Sequence, residues 1–311
     1  MTDIALAVAW EWPPDSDFVH RLLSRAVSMG LMSLEIRPDN LQPILAGLAA
    51  RRLRIRNLLD RASDVYPEFA QLVLLAEQTG TRIINHIRHQ NQAGDKARNH
   101  RLCAAWGIPV PFTTIVPPFS KDPLLPELPA ALGRPFVAKP AGGGGGLGVI
   151  LDVQTREGVQ EARRTYPHDR YLLQQRITPS TLGGKRAWFR VFYVCGLIIP
   201  CWWDDLTHIY SPLESEEEKY YGLTRLRTIA RQVAQITALD FFTTEIALAS
   251  DGRLVCIDYA NSPCDMRLQS QHADGVPDAV VECAIDALVS FGLSPAPQHA
   301  AEWSVMTSER A

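Results

Sequence analysis

No apolar run in this chain approaches the ~18 residues a membrane-crossing helix needs. The six cysteines (Cys103, Cys195, Cys201, Cys256, Cys264 and Cys283) include no Cys-x-x-Cys pair and lie mostly within apolar stretches. That argues against a metal ribbon or a disulfide framework and predicts buried free thiols in a reducing compartment. An excess of one charge is also missing. Lys+Arg 31 against Asp+Glu 34 leaves a net charge of −3, so nothing advertises a nucleic-acid or anionic-membrane surface. The opening residues lack a positive leader, and the apolar run Ile4 to Trp10 ends at Glu11. The expectation is a first β-strand rather than a signal peptide, in a cytoplasmic protein. What the chain does have is apolar mass. It is 46% hydrophobic and 21% charged over 311 residues, which suits two domains or three small ones and argues against disorder.

The first part reads as alternating strand and helix. Strands are expected at Ile4–Trp10, Leu31–Ile36, Leu53–Leu59 and Thr81–Asn85. Helices are expected at Phe18–Met29, at 41–50 and from Pro67 to Glu77, with Gly30 and Gly80 as stops. Repeated β-α-β gives a small parallel sheet whose ligand site lies at the carboxyl ends of its strands. Those ends carry Glu11, Trp12, Arg37, Asp60, Arg61 and His86.

Asp95 can cap a helix from Lys96 to Trp106. A proline-rich connector follows, with Pro117, Pro118, Pro123, Pro126, Pro129 and Pro135. Further strands are expected at Phe136–Lys139, Val149–Val153, Tyr171–Ile177 and Arg190–Ile199. Leu226, Ile229, Val233 and Ile236 put one apolar face on a helix spanning Gly222–Leu239. Phe241–Leu248 and Leu254–Tyr259 read as a hairpin around Asp251-Gly252, and a last helix runs from Pro277 to Phe291, ended by Gly292. Residues 294–311 read as a tail. The organisation expected is 1–110, 111–175 and 176–293, of class α/β (α+β).

Gly142, Gly143, Gly144, Gly145 and Gly146 are consecutive. No Gly-Lys-Ser/Thr follows, so this is not a P-loop. A strand rather than a helix comes next, so the dinucleotide fingerprint does not apply. Strand–glycines–strand is a flexible hairpin whose amides can close over phosphates. The alternative is a plain turn, for which five glycines cost needless entropy. Lys139, at the end of the preceding strand, can reach under the loop to meet anionic charge. A solvent-facing lysine is the bland alternative.

A two-residue Asp251-Gly252 turn sets Glu245 directly opposite Asp258, with Cβ atoms ~5 Å apart. Two carboxylates there destabilise the sheet unless something positive lies between them. Ile246, Leu248, Val255 and Ile257 are expected on the other, core face. Asn261 can add a neutral oxygen, and the set of hard oxygens suits Mg²⁺ rather than zinc. The alternative is that Arg or Lys pairs the two acids without a metal.

Taken in order over residues 81–270, these segments resemble the ATP-grasp superfamily. Asn85, Asp95-Lys96 and Gly107 to Thr113 are similar to its first lysine segment. Phe136 to Pro140 with the glycines resembles the second lysine and phosphate lid. Leu172 to Ile177 resembles the adenine-binding hinge, and Phe189 to Val194 with Gly196 the strand of the phosphate-binding arginine. Glu245, Asp258 and Asn261-Ser262-Pro263 resemble the magnesium ligands. The nearest subtype in pattern is the carboxylate–amine ligases related to glutathione synthase and to the enzyme that adds glutamates to a ribosomal protein. Three departures stand out: Gln174-Gln175 where Gln-Glu is common, Trp188 where Asp commonly precedes the arginine strand, and Cys264 to Arg267 where a glycine is usual.

The resemblance implies roles by position. Lys96 and Lys139 contact ATP phosphates, and Gln174, Gln175, Arg176 and Ile177 line the adenine pocket. Arg190 stabilises the transferred phosphoryl group. Arg267 is read as an anchor for the substrate carboxylate or acyl phosphate, with an ion pair to Asp265 as its alternative. The cofactors implied are ATP and Mg²⁺, with Mn²⁺ as a substitute. The implied partners are small-molecule carboxylate and amine substrates, no nucleic acid and no membrane, with a homo-oligomer as a family expectation. The implied reaction forms an amide through an acyl phosphate, releasing ADP and phosphate. A small-molecule phosphotransferase on the same fold and a non-catalytic ATP-binding protein are the alternatives. Cys201 to Asp205, with Trp202 and Trp203, falls where acceptor loops commonly sit; core packing of one of the two indoles is the alternative reading. Glu214 to Glu218 reads as a solvated helix start.

Overall fold

A computed structural model describes residues 1–293, so the tail expected at 294–311 lies outside the described residues. The chain divides into two compact units. One holds Met1–Glu11, Val19–Ile83 and the chain from Ile285, and the other Trp12–Phe18 and Ile84–Ala284. The division thus falls near residue 84, where the sequence reading put it at 110. No described helix is long and apolar enough to cross a membrane.

The first unit follows β1 (Thr2–Trp10), α1 (Ser16–Ser28), β2 (Ser33–Ile36), α2 (Leu41–Ala49), β3 (Leu53–Arg61), α3 (Ala70–Gln78) and β4 (Arg82–Ile84). Sheet order is β2-β1-β3-β4. β1 runs parallel to β2 (Leu6 beside Ser33) and to β3 (Trp10 beside Arg61). A central parallel strand is covered on both faces, so it carries an unbroken apolar run. Ile4 to Trp10 are accordingly all buried.

The second unit opens with α4 (Ile87–Ala93) and α5 (Lys96–Ala105). Asp95 caps α5 as expected, its side chain accepting from Arg98 N at 3.0 Å. β5 (Thr113–Val116), β6 (Phe136–Pro140), β7 (Ile150–Val153), α6 (Arg156–Thr165) and β8 (Tyr171–Gln175) follow. The strands form an antiparallel sheet of order β5-β8-β6-β7. The proline connector is pinned to α6. Arg156, Gln160 and Arg163 recur at helical spacing on one face and donate to the carbonyls of Pro126, Pro123 and Pro117. Proline lacks an N–H but keeps its acceptor, so donors on a neighbouring helix satisfy the connector.

The chain continues through β9 (Thr181–Leu182), β10 (Lys185–Arg186), β11 (Trp188–Val194), β12 (Leu197–Trp203), β13 (Tyr210–Pro212), α7 (Ser215–Tyr220), α8 (Arg225–Thr237), β14 (Phe241–Leu248), β15 (Leu254–Asn261) and α9 (Asp278–Leu293). Five of these strands make a sheet of order β13-β12-β11-β14-β15. The single strand expected at Arg190–Ile199 is instead two. Val194 pairs with Leu197, and Cys195 and Gly196 turn between them with φ of 51° and 99°. Two positive φ angles are the signature of a type I′ hairpin. α8 buries Leu226, Ile229, Val233 and Ile236 as its spacing predicts, within a cluster that includes Phe189, Val191, Trp202 and Ile246. α9 runs through Gly292 rather than stopping there, and Asn57 Nδ2 reaches the Gly292 carbonyl at 3.4 Å.

Candidate active site

The β14–β15 hairpin sets the acids. Glu245 does lie directly opposite Asp258, but by a different route from the one the sequence suggests. Ala249 N bonds Arg253 O, so the turn holds three residues, with Gly252 at φ 82°. That shifts the register by one: Leu248 faces Leu254 and Ile246 faces Cys256. A bulge at Ile257 then shifts it back. The cluster that holds Ile246 therefore takes Leu254 and Cys256 from β15, while Val255 is buried as well and Ile257 only half-buried. A second irregularity, with Thr243 opposite Asn261, brings Asn261 onto the face of the two acids, which strict alternation would not do.

Across the sheet the row continues. Arg190 in β11 is the direct neighbour of Glu245, and the two side chains form an ion pair at 15% and 13% exposure. Arg190 Nη1 also donates to Tyr210 Oη at 3.0 Å, and its guanidinium lies 4.3 Å from the Trp203 ring. Burial disfavours the Arg190 charge, but Glu245 and Tyr210 outweigh it and hold its pKa above the ordinary value. So Glu245 does have a cationic partner, as the ion-pair alternative required. Among the described residues, Arg190 Nε and Thr243 Oγ1 are buried without a hydrogen-bond partner. No group of three His, Cys, Asp or Glu is placed to hold a metal among the described residues. The donors available are two carboxylates and an amide on one face, a hard-oxygen set that fits Mg²⁺ completed by phosphate oxygens.

Lys139, in β6, is buried at 6% exposure. Its Nζ donates to the Ile257 carbonyl at 3.0 Å. A bulged residue leaves its backbone groups out of the ladder, and here the lysine takes up the carbonyl. Burial lowers the Lys139 pKa; Asp258 and Glu245 oppose the shift, and Lys96 adds to it. Lys96 stands at the first turn of α5 and its Nζ bonds the Gly143 carbonyl.

The glycines join β6 to β7 as an antiparallel hairpin, as expected. Gly142 N donates to Asp169 Oδ2 at 2.8 Å. Gly143, Gly145, Gly146 and Gly148 all have positive φ. At Gly148 a Cβ would collide with the Tyr166 ring.

The hinge residues divide. The Gln174 side chain is buried and donates to Thr113 Oγ1 at 3.1 Å and Tyr259 Oη at 3.3 Å, so it is held by the protein itself. Gln175 N bonds Phe112 O. Arg176 pairs with Asp152 at the surface. β8 ends at Gln175, short of the expected Ile177, so Arg176 and Ile177 lie beyond the ladder.

Arg267 pairs with Asp265, 2.7 Å from Nη2 to Oδ2, and with Asp274 at 2.9 Å. Those bonds, with Asp265 the larger effect, raise its pKa, and its ion-pair alternative is the one realised. Of the two indoles, Trp202 belongs to the core and bonds Glu217 at 3.1 Å. Trp203 is stacked on His208 at 5.2 Å and also meets Arg190. The acidic run forms a capping box at Glu214 and Glu217, but Glu218 is buried against Arg227 rather than solvated.

In the first unit, Glu11, Glu35, Arg37, Pro38 and Asp39 line a pocket of about 390 Å³ beyond β1 and along β2. Glu11 and Arg37 were expected at these strand ends. Arg37 lies 4.0 Å from the Trp10 ring, and Trp10 Nε1 donates to Glu35 at 2.9 Å.

One cluster escaped the sequence reading. His100 Nδ1 lies 2.7 Å from Tyr259 Oη. Burial first, then Lys139 and Arg101, lower the His100 pKa to about 4. The residues are far apart in sequence, and the signal available was the His100 position one turn beyond Lys96 on the same helix.

These elements make up the ATP-grasp fold. Several solved structures match along nearly the whole chain. The ATP-grasp ligase PsnB, complexed with minimal precursor, Mg and ADP, is 14% identical over 92% of this chain and 99% of that one, with a TM-score of 0.59. A RimK domain ATP-grasp protein from Sphaerobacter thermophilus is 19% identical over 93% and 99%, at 0.58. The D-alanine–D-alanine ligase from Bacillus anthracis complexed with ATP is 15% identical over 94% and 98%, at 0.61. No family model and no curated protein sequence matches the chain.

Proposed function

We propose that the protein is an ATP-dependent carboxylate–amine ligase acting on an amino acid or small peptide. The observation that carries this reading is the row Arg190, Glu245, Asp258 on adjacent strands, with the buried Lys139 amine against it. Cations and hard oxygens in one water-poor place are what a metal–polyphosphate needs. The neighbours support it, since PsnB is solved with its precursor, Mg and ADP and the D-alanine–D-alanine ligase with ATP.

Lys96 and Lys139 hold the phosphates. Gly142 to Gly146 close over them and exclude water. Arg176 and Ile177, just past the end of β8, line the adenine pocket next to Gln174 and Gln175. Glu245, Asp258 and Asn261 would hold Mg²⁺ or Mn²⁺, which would supply neutralisation of phosphate charge. Arg190 meets the charge that develops on the transferred phosphoryl group. A substrate carboxylate attacks the γ-phosphorus of ATP, giving an acyl phosphate and ADP. An amine then displaces phosphate, forming the amide and releasing a proton. Water would destroy the acyl phosphate, and this accounts for a long glycine hairpin.

The test is incubation with Mg-ATP and a pool of amino acids, with ADP, AMP and free phosphate quantified. ADP with equal phosphate, dependent on the pool, is expected. ADP without free phosphate makes the protein a phosphotransferase, and AMP overturns the acyl-phosphate route.

A further inference from the structure

The Tyr259 hydroxyl is where three separate elements meet. Tyr259 is fully buried and follows Asp258 in β15. Its oxygen is 2.7 Å from His100 Nδ1 on α5, the helix that begins with Lys96. It is 3.3 Å from Gln174 Nε2 on β8, the strand that leads to the hinge. Its ring lies 5.8 Å from Lys139 Nζ. Gln174 Nε2 can only donate, so the tyrosine oxygen accepts there. Its own hydrogen is then free for His100 Nδ1, which accepts as neutral imidazole. Gln174 continues the chain to Thr113 Oγ1 in β5. Every link is a side-chain bond between elements distant in sequence, and three of the four elements, α5, β8 and β15, carry residues assigned above to phosphate, adenine and metal.

We infer that Tyr259 is a positioning residue for Mg-nucleotide binding. Through His100 and Gln174 it fixes the lysine helix, the hinge strand and the metal strand at one mutual spacing. This rests on the ligase reading of the site. It touches no substrate itself. A polyphosphate with its metal is a rigid ligand that must meet Lys96, Lys139 and Asp258 together. Small displacements between their supporting elements therefore weaken all the contacts at once. A buried hydrogen-bonded network in which every member is satisfied is the sort of link that holds such a spacing.

The experiment measures Mg-ADP and adenosine binding by calorimetry, and thermal melting, on the full chain. Tyr259→Phe keeps the ring and removes the hydroxyl. Tyr171→Phe is the control: Tyr171, on the same strand as Gln174, is equally buried, and its hydroxyl donates to the Ala162 carbonyl at 2.6 Å instead of to a member of the network. Both variants lose one buried hydrogen bond, so both melt somewhat lower. Only Tyr259→Phe is expected to weaken Mg-ADP about tenfold, with adenosine affected less because it lacks the phosphates that must span the elements. His100→Leu is expected to weaken Mg-ADP similarly, and the His100→Leu/Tyr259→Phe double variant no further than the worse single one. Equal Mg-ADP affinity in Tyr259→Phe and the unaltered protein overturns the inference, as does full additivity in the double variant. Failure of the unaltered protein to bind Mg-ADP overturns the ligase reading itself, so the two failures are distinct.

Discussion

The pair at the centre of the five-stranded sheet makes a quantitative prediction. Arg190 and Glu245 face each other on adjacent strands at 15% and 13% exposure. Replacing Glu245 with Ala leaves a guanidinium in a site where Tyr210 and Trp203 remain but no counter-charge does. Breaking a buried pair from one side costs about 3–5 kcal/mol, whereas replacing both partners by well-packed apolar groups is often near neutral. Because Tyr210 keeps one bond, the lower end, about 3 kcal/mol, applies to Glu245→Ala. The Arg190→Met/Glu245→Leu double variant should fall within about 1 kcal/mol of the unaltered protein. Urea unfolding followed by tryptophan fluorescence measures it directly, since Trp203 lies against Arg190. At about 2–4 °C per kcal/mol for units of this size, Glu245→Ala should melt roughly 6–12 °C lower. Single variants within about 0.5 kcal/mol of the unaltered protein would show that solvent already screens the pair, and the burial argument would then be wrong.

Other substitutions bear on separate links. Lys139→Met keeps most of the volume and removes the amine; it should abolish turnover and weaken Mg-ADP by at least tenfold while melting changes by a few degrees, and undiminished ADP formation would sink the site assignment. Gly148→Ala meets both positive φ and the Tyr166 ring, and should cost about 1–3 kcal/mol. Gly144→Ala meets no atom within 4 Å and should be neutral or stabilise by up to about 1 kcal/mol, so equal effects of the two in a melting assay would refute this account of the glycine hairpin. The His100 pKa is lowered from 6.5 to about 4 in the folded protein. The unfolded chain therefore takes up its proton first as pH falls, so the His100 contribution is whole above about 6.5 and drains away down to about 4. Unfolding free energies between pH 7 and 4 should show this slope, and the same slope in His100→Gln would assign it to other groups.

Much of the architecture was legible because local signals and burial agreed. The unbroken apolar run Ile4 to Trp10 demanded a strand covered on both faces, and Asp95 capped the helix it preceded. The strand–glycines–strand order by itself specifies a hairpin, and β6 and β7 pair as one. What failed were features whose cause is remote or atypical. The Cys195-Gly196 turn was hidden because cysteine seldom takes positive φ. The stop expected at Gly292 falls inside the helix, which reaches Leu293, the last described residue. The opposition of Glu245 and Asp258 came out right through two errors that cancelled, since neither the third turn residue nor the bulge at Ile257 leaves a local mark. The hydroxyl junction at Tyr259 was out of reach, because His100, Gln174 and Tyr259 meet only in space.

The cancelling pair of irregularities in the β14–β15 hairpin also bears on how this site tolerates insertion and deletion. The hairpin has two alternating apolar sets on β15, Leu254 with Cys256 and Val255 with Ile257. Hydrophobic patterning alone therefore chooses weakly between registers. Deleting one turn residue could be absorbed by smoothing the bulge, with Glu245 and Asp258 still face to face. The lysine would then be stranded, because the Ile257 carbonyl would return to the ladder and Lys139 would lose its acceptor. Turn length and lysine anchoring are thus linked across the hairpin, and a lesion at one end is felt as a loss of cation placement at the other.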